Sequence, residues 1–215
     1  PFFQTVYEFV KFLQQVLEGL VSLHRKNIAH LDICCCNILV DSTTMFPGGF
    51  HFIHMNTPST GIGSIAEVGY RPSDDPTKSR PHVMHNRTAA GPLNYHLIDF
   101  SRSVWYPDFE SRGLVVGGES ENLKRVERHR GHLIPEISDT VPYDPFKVDV
   151  RLVGEMWYAG LDFVMPLVSN LLHDDPTQRP TAAGALKMFE RLVHDVHGTQ
   201  LDKPIMIHHY SSRSR

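Results

Sequence analysis

The sequence has few cysteines, no long apolar run and no large excess of one charge. Its 215 residues carry 21 Lys and Arg against 24 Asp and Glu, a formal net charge of −3 at pH 7. This balance provides no basic surface for nucleic acid or an anionic membrane, so neither is expected as a partner. No run approaches the ~18 apolar residues of a membrane span, and no signal peptide follows Pro1. We therefore expect an intracellular protein, cytoplasmic or nuclear.

The three cysteines are consecutive, at Cys34–Cys36. Adjacent cysteines pair with each other only under severe strain, so a disulfide framework is excluded and a reducing compartment is favoured. A zinc site would need thiolates spaced by a turn and a second pair of ligands. The histidine pairs His51-x-x-His54 and His82-x-x-His85 have no obvious carboxylate companion, so a zinc site is not favoured.

Apolar residues recur at helical spacing from Thr5 to Lys26, which predicts a long helix that packs on the core. Short strands are predicted from Asn37 to Asp41 and from Tyr95 to Phe100. Further helices are predicted at Phe146–Tyr158, Phe163–His173 and Thr181–Val196. The segment from Ser101 to Pro145 is predicted to be irregular. The order predicts a mainly α fold of the α+β class.

The region between the two strands differs in composition from the rest of the chain. Gly and Pro make up 12 of residues 42–92, against 30 of all 215. We therefore expect one domain over residues 1–198, interrupted by a loop-rich insertion over residues 41–93. The polar residues 199–215 are predicted to be a flexible tail.

Two short segments carry the candidate chemistry: His30-x-Asp32-x-x-x-x-Asn37 and Leu97-Ile98-Asp99-Phe100-Ser101. Either is weak evidence alone, because an Asp at the end of a strand is usually a turn former. Together, after a long amphipathic helix, they resemble the catalytic and metal-binding loops of protein kinases.

Three later segments resemble the same family in the same order: Ile134-Pro135-Glu136, Asp149-Val150-x-x-x-Gly154 and Asp174-Asp175-Pro176-x-x-Arg179-Pro180-Thr181. The sequence segments at residues 45–51 and 141–149 are similar to segments of kinase-like proteins from basidiomycete fungi. The resemblance covers roughly residues 1–196 and implies the large, C-terminal lobe of the kinase fold, with short β-hairpins that carry the catalytic and metal loops.

The resemblance implies a transfer of phosphate from ATP, with Mg²⁺, to a protein hydroxyl of Ser or Thr. The implied catalytic residues are Asp32, which would accept the proton of that hydroxyl, and His30 in the same loop. Asn37 and Asp99 would hold Mg²⁺ by their oxygens. Leu39 would form an apolar floor under the adenine. A monomer is expected, and the substrate protein is not indicated.

The same resemblance implies structural roles for three more residues. Asp149 would accept hydrogen bonds from the backbone of the catalytic loop and hold that loop rigid. Glu136 and Arg179 would form a buried ion pair.

The sequence also departs from the family pattern. Leu31 and Cys34 stand where Ser/Thr kinases usually have Arg and Lys, Cys36 stands where tyrosine kinases often have Arg, and Ser101 replaces a Gly. Both hydroxyl types stay open, because the two positions that distinguish them are Cys.

The small lobe, with its Gly-rich phosphate cover, strand Lys and helix Glu, does not precede the first helix. The segment Gly61–Val68 resembles a Gly-rich loop, but it falls within the insertion and is interpreted as part of it. We therefore expect a fragment of a kinase, inactive or nearly so on its own. The alternative is a catalytically impaired pseudokinase that serves as a binding or scaffold module.

Overall fold

A computed structural model describes residues 3–41, 43–45, 87–91, 93–129, 133–156, 161–196 and 198–205. The helices and strands in this part of the chain are α1 (Val6–Arg25), β1 (Ile28–Ala29), β2 (Ile38–Val40), α2 (Arg87–Ala90), β3 (Tyr95–Leu97), β4 (Val104–Trp105), α3 (Glu119–His129), α4 (Pro145–Glu155), α5 (Met165–Leu171), α6 (Ala182–His194) and α7 (Gly198–Leu201). The architecture is mainly helical with a few short strands, as the sequence predicts.

The chain divides into two compact units, residues 1–39 with 95–215 and residues 40–94. In the second unit the Asp41 amide donates to the carbonyl of Asn94 at 2.8 Å, and Met45 and Leu93 are buried. Residues 46–86 lie outside the described part of the chain. The structure therefore does not describe most of the predicted 41–93 insertion. Its Gly-rich segment and its two histidine pairs also lie outside the described residues.

Helix α1 is the longest described helix and supplies the largest apolar face. Thr5 caps its N-terminus, since its side chain accepts the amide of Glu8 at 3.3 Å, which satisfies a donor that the first turn leaves unpaired. After Arg25 the chain turns through Asn27, which has a positive φ of 59° and leads into β1. The buried residues of α1 include Phe9, Val16, Leu17 and Leu20, so the predicted core-packing helix is confirmed.

The strands are shorter than the sequence pattern suggests and form two-stranded sheets. Strand β1 pairs with β4 in antiparallel register, with Ile28 opposite Trp105 and Ala29 opposite Val104. Strand β2 pairs with β3. The two strands β1 and β2 lie on either side of residues 30–37, so each end of that loop is tied to a sheet.

Helices α4, α5 and α6 complete the core. Asp144 caps α4 by accepting the amide of Phe146 at 2.8 Å, with Pro145 at the first helical position. Helix α4 packs on α5, and α1 packs on α6. The approach at Gly154 is close: a Cβ there would lie 2.9 Å from the Cβ of Leu171, so a larger residue would separate the two helices.

The structure differs from the sequence prediction between Ser101 and Pro145, where α3 forms in the segment predicted to be irregular. Its eleven residues, ESENLKRVERH, contain only two apolar side chains and so show no helical stripe of apolar residues. The helix is anchored instead by a polar residue. Asn122 is buried, donates to the carbonyl of Ile134 at 2.9 Å and accepts its amide at 3.2 Å.

The segment 199–215, predicted to be a flexible tail, is described only as far as residue 205, and its first residues lie in a short helix. Helix α7 begins at Gly198, and the amide of Val6 donates to the carbonyl of Lys203 at 3.0 Å. The amide of Ile205 donates to the carbonyl of Gln4 at 3.0 Å. These bonds satisfy backbone groups next to the start of α1, which a composition argument could not foresee.

No helix within the described residues combines the length and apolar character that crossing a membrane requires.

Candidate functional site

The loop at residues 30–37 is held by a buried carboxylate from α4. Asp149 is fully buried, and its two oxygens accept the consecutive backbone amides of His30 and Leu31, each at 2.7 Å. The Nε2 atom of His24 lies 3.0 Å from the same carboxylate. Leu31 has a positive φ of 62°, an uncommon conformation for a leucine. The carboxylate therefore compensates a strained backbone and fixes the direction of the residue that follows, Asp32.

His30 is also fully buried, and both of its ring nitrogens have partners. Its Nε2 lies 3.1 Å from the carbonyl oxygen of Ile98, which can only accept, so the hydrogen is on Nε2. Its Nδ1 accepts the amide of Asp32 at 3.3 Å, and its ring packs against Phe100 with a centroid distance of 4.8 Å. Within this loop His30 therefore positions Asp32 and the Ile98 segment, and both nitrogens are engaged in doing so.

Asp32 and Asn37 are joined across the loop. The Nδ2 group of Asn37 donates to the carbonyl oxygen of Asp32 at 2.8 Å and to its carboxylate Oδ2 at 3.0 Å. The 3-10 turn at Cys35–Asn37 makes this possible, because it folds the chain back over five residues. The other carboxylate oxygen of Asp32, Oδ1, lies 3.5 Å from Nη1 of Arg102. The Asp32 side chain is 21% exposed, so it is fixed but open to a small molecule.

Asp99 is brought to the same edge by the pairing of β2 with β3. The amide of Ile98 donates to the carbonyl of Asn37 at 3.0 Å, which places Asp99 one residue beyond that contact. Asp99 has a positive φ of 63° and is exposed. Its Oδ1 accepts the Ser101 hydroxyl at 2.6 Å and the Ser101 amide at 3.3 Å. These hydrogen bonds, the hydroxyl first, hold the pKa of Asp99 below its usual range.

The predicted metal ligands suit Mg²⁺ chemically. Both hydrogens of the Asn37 Nδ2 group are used inside the loop, which leaves its Oδ1 as the group available to a cation. Asp99 uses Oδ1 for Ser101, and no described residue donates a hydrogen bond to its Oδ2. Amide and carboxylate oxygens are ligands that Mg²⁺ accepts, with water and phosphate oxygens completing its shell. The oxygen atoms that Asn37 and Asp99 leave available are therefore of the types that Mg²⁺ binds.

A metal site built from protein side chains alone finds no support within the described residues. Among the described residues there is no group of three or more His, Cys, Asp and Glu that could hold a metal ion. Cys34 is buried, and this burial raises the pKa of its thiol, while Cys35 and Cys36 are exposed. A buried thiol at residue 34 supplies no positive charge to the loop.

Leu39 on β2 is 53% exposed and Phe100 is 46% exposed, two of several large apolar side chains that reach the surface. Next to Phe100 lies a cavity of about 230 Å³ between α1 and β3. Leu39, predicted as the floor under an adenine, therefore has an open face that a flat ring could cover.

Glu136 and Arg179 form the ion pair that the sequence predicts. Both guanidinium Nη atoms face the Glu136 carboxylate, and Arg179 is 1% exposed. Arg179 also donates to the carbonyls of His173 at 2.7 Å and Lys147 at 3.1 Å. The pair ties the segment before α4 to the turn before α6.

Two contacts at the site have no signal in the sequence. His24 lies on α1 and reaches Asp149 across 125 positions of the chain, and Arg102 reaches Asp32 across 70. Neither belongs to a spaced motif, so only the folded chain identifies them. The sequence comparison identifies Ser101 only as a replacement for Gly. In the structure its hydroxyl donates a hydrogen bond to the Asp99 carboxylate.

A larger cavity, of about 1130 Å³, lies between the end of α1, residues 109–114 and the start of α6. Arg112 lines it and is already engaged: it stacks on Phe146 at 4.2 Å and donates to Asn27 Oδ1 at 2.9 Å and to the carbonyl of His24.

A comparison of the sequence with models of known protein families finds no match.

Proposed function

We propose that the chain is the large lobe of a protein kinase, which transfers the terminal phosphoryl group of ATP to a protein hydroxyl. The observation that carries this proposal is the double hydrogen bond from Asn37 to Asp32, in a loop whose amides are held by Asp149. Phosphoryl transfer depends on positioning and charge stabilisation more than on covalent help from the protein. A base and a metal ligand locked in one loop meet that need.

In the proposed reaction Asp32 orients the substrate hydroxyl and accepts its proton. The hydroxyl oxygen forms a bond to the terminal phosphorus of ATP, and the bond from that phosphorus to the bridging oxygen breaks with its electron pair on ADP. Asn37 holds Asp32 in place through its amide, and Asp99 presents a carboxylate that the Ser101 hydroxyl keeps ionised. Bound Mg²⁺ would neutralise phosphate charge between Asn37 and Asp99. The exposed face of Leu39 would support the adenine.

The test is Mg²⁺-dependent ATP binding and phosphoryl transfer by the protein in the full length in which the cell makes it. Loss of a general base lowers the rate by about 10²–10⁴-fold, so Asp32→Asn should abolish most of the transfer and leave ATP binding intact. Asp99→Ala should remove the Mg²⁺-dependent part of ATP binding, measured as a shift in the thermal unfolding midpoint. Asp162→Asn, at an exposed position in the short turn before α5, is the matched control.

A wild-type protein with no Mg²⁺-dependent shift would contradict the proposal. So would a transfer rate that is unchanged in Asp32→Asn.

A second function, that of a pseudokinase that binds partners without catalysis, is favoured by one observation. Both carboxylate oxygens of Asp32 are engaged, Oδ2 with Asn37 and Oδ1 with Arg102, so the base faces a cation of its own chain. If ATP binds but neither wild type nor Arg102→Ala transfers phosphate, the pseudokinase is the better description.

A further inference from the structure

The loop at residues 30–37 contains no Lys or Arg, so it has no cation of its own to stabilise charge on a phosphoryl group. Cys34 is buried and its thiol pKa is raised by that burial. A positive charge near Asp32 has to come from another segment of the chain.

Arg102 supplies that charge in the described structure. Its Nη1 lies 3.5 Å from Asp32 Oδ1, and its side chain is 23% exposed. A separation of 3.5 Å is at the limit of a hydrogen bond, so the guanidinium is held near the carboxylate without being tightly bound to it. A guanidinium has five N–H donors, and within the described part of the chain this one long contact leaves most of them for an anion.

The second amino group of the guanidinium lies close to the turn at Gly117 and Gly118. A Cβ at Gly118 would lie 3.4 Å from Nη2 of Arg102 and 3.6 Å from the hydroxyl of Tyr143. Gly118 has a positive φ of 94°, and the Tyr143 hydroxyl donates to the Gly117 carbonyl at 2.9 Å, which fixes this wall. Arg102 is thus held between the catalytic loop and this turn.

A second carboxylate, that of Glu121, lies near Arg102 and has other partners. Glu121 is close enough for Arg102 to contribute to the lowering of its pKa, but its main partner is the Ser120 hydroxyl at 2.8 Å. Its carboxylate also lies 3.6 Å from the ammonium group of Lys124. Asp32 is therefore the carboxylate that directly faces the guanidinium.

We propose that Arg102 is a catalytic residue that binds the phosphoryl group during its transfer, an inference that rests on the proposed function. In the step described above, negative charge spreads over the oxygens of the phosphoryl group as the bond to ADP breaks. The free N–H groups of Arg102, fixed beside the base, donate to those oxygens. Arg102 thereby takes the place of the cation that the loop lacks at Cys34.

The experiment compares wild type with Arg102→Ala, Arg102→Lys and the control Arg191→Met, at an exposed position on α6. Three quantities are measured: kcat, KM for ATP and the Mg²⁺–ADP shift of the unfolding midpoint. Removing one donor to a transition state typically costs about 10²–10³-fold in rate, so we expect kcat of Arg102→Ala to fall by about 100-fold. ADP lacks the transferred group, so its shift should not change.

A rescue experiment separates a chemical role from a structural one. Free guanidinium ions at millimolar concentration should raise kcat of Arg102→Ala by about tenfold, because they can enter the vacated space and donate to the same oxygens. Sodium chloride at equal ionic strength should not. Arg102→Lys keeps the positive charge on a single ammonium group, so its kcat should lie between those of wild type and Arg102→Ala.

The outcomes separate this inference from the function on which it rests. A wild type that binds no Mg²⁺–ATP overturns both. A wild type that transfers phosphate while Arg102→Ala is as fast or faster overturns only the role of Arg102, and the faster rate would indicate that Arg102 blocks Asp32. A loss that guanidinium does not rescue, accompanied by a lower unfolding midpoint, would also overturn the catalytic role and leave a structural one.

Discussion

The carboxylate of Asp149 accepts the backbone amide of Leu31 at 2.7 Å, and Leu31 holds a φ of 62°. A leucine in this left-handed region is strained, so the conformation persists only where surrounding groups favour it strongly. The buried carboxylate is such a group, because without this amide and that of His30 its charge would lose its closest backbone donors. Burial of one side chain on α4 thus determines the backbone of a loop 118 positions earlier.

Replacement of Asp149 by Asn should destabilise the fold by about 2–4 kcal/mol, because one of the two amides would face an NH₂ group in place of an acceptor. The measurement is urea unfolding at neutral pH. Asp162→Asn, an exposed carboxylate of the same type, should change the free energy of unfolding by less than about 0.5 kcal/mol. Equal effects of the two variants would show that Asp149 does not clamp the loop.

Loss of Glu136 should leave the guanidinium of Arg179 buried and without its carboxylate. Arg179 is 1% exposed, so Glu136→Leu is expected to lower the free energy of unfolding by about 3–5 kcal/mol. The double variant Glu136→Leu with Arg179→Met should lose less than the sum of the single variants, by about 1–3 kcal/mol. Strict additivity in this double-mutant cycle would show that the two side chains do not interact.

Replacement by alanine should change the free energy of unfolding at Gly154, where α4 closely contacts α5, but not at Gly198. A Cβ at Gly154 would lie 2.9 Å from the Cβ of Leu171 and from Cδ2 of Leu172, so Gly154→Ala should cost about 1–3 kcal/mol by overpacking. Nothing lies within 4 Å of a Cβ at Gly198, so Gly198→Ala should be within about 0.5 kcal/mol of wild type. Chemical denaturation of the two alanine variants tests this, and a neutral Gly154→Ala would mean that the helices can move apart freely.

The free energy of unfolding should depend on pH through Asp175, which lies in the turn before α6. Its Oδ1 accepts the Thr177 hydroxyl at 2.8 Å and the Thr177 amide at 2.9 Å, and these bonds lower its pKa from the ordinary 3.8. The folded state therefore binds the proton less tightly than the unfolded state. The stabilisation is present above the unfolded pKa and is lost as the pH falls through the lower, folded pKa.

Thr177→Val removes the hydroxyl donor and should raise the pKa of Asp175 toward its ordinary value. The difference in the free energy of unfolding between wild type and Thr177→Val should therefore be larger at about pH 7 than at about pH 2–3. In an Asp175→Asn background, which cannot titrate, the same substitution should give a difference that does not vary with pH. A pH-dependent difference in that background would assign the titration to another group.

Local patterns in the sequence predicted the elements whose formation depends on near neighbours. The stripe of apolar residues predicted α1 because an amphipathic helix repeats its buried face every three or four residues. The Gly and Pro breaks located the helices from α4 to α6 to within a few residues. The pair Glu136 and Arg179 was predicted through a resemblance of motifs, and the structure brings its members together.

Helix α3 could not be predicted in this way, because its anchor is one buried polar residue, Asn122, which bonds to the backbone of Ile134. A single asparagine has no periodicity for a sequence pattern to register. The same is true of residues 203 and 205, whose backbone pairs with residues near the start of α1.

The sequence by itself predicted helices α1 and α4 to α6 and the two segments that contain β2 and β3, and the resemblance of its motifs singled out Asp32, Asn37 and Asp99. Only the tertiary structure decided which groups surround Asp32. Asn37 and Arg102 meet at that carboxylate, and His30 accepts the backbone amide of Asp32, because the loop folds back on itself and tertiary packing brings Arg102 to it. Helical and strand periodicity reports which face of an element is buried, whereas a contact across 70 residues depends on how the elements pack.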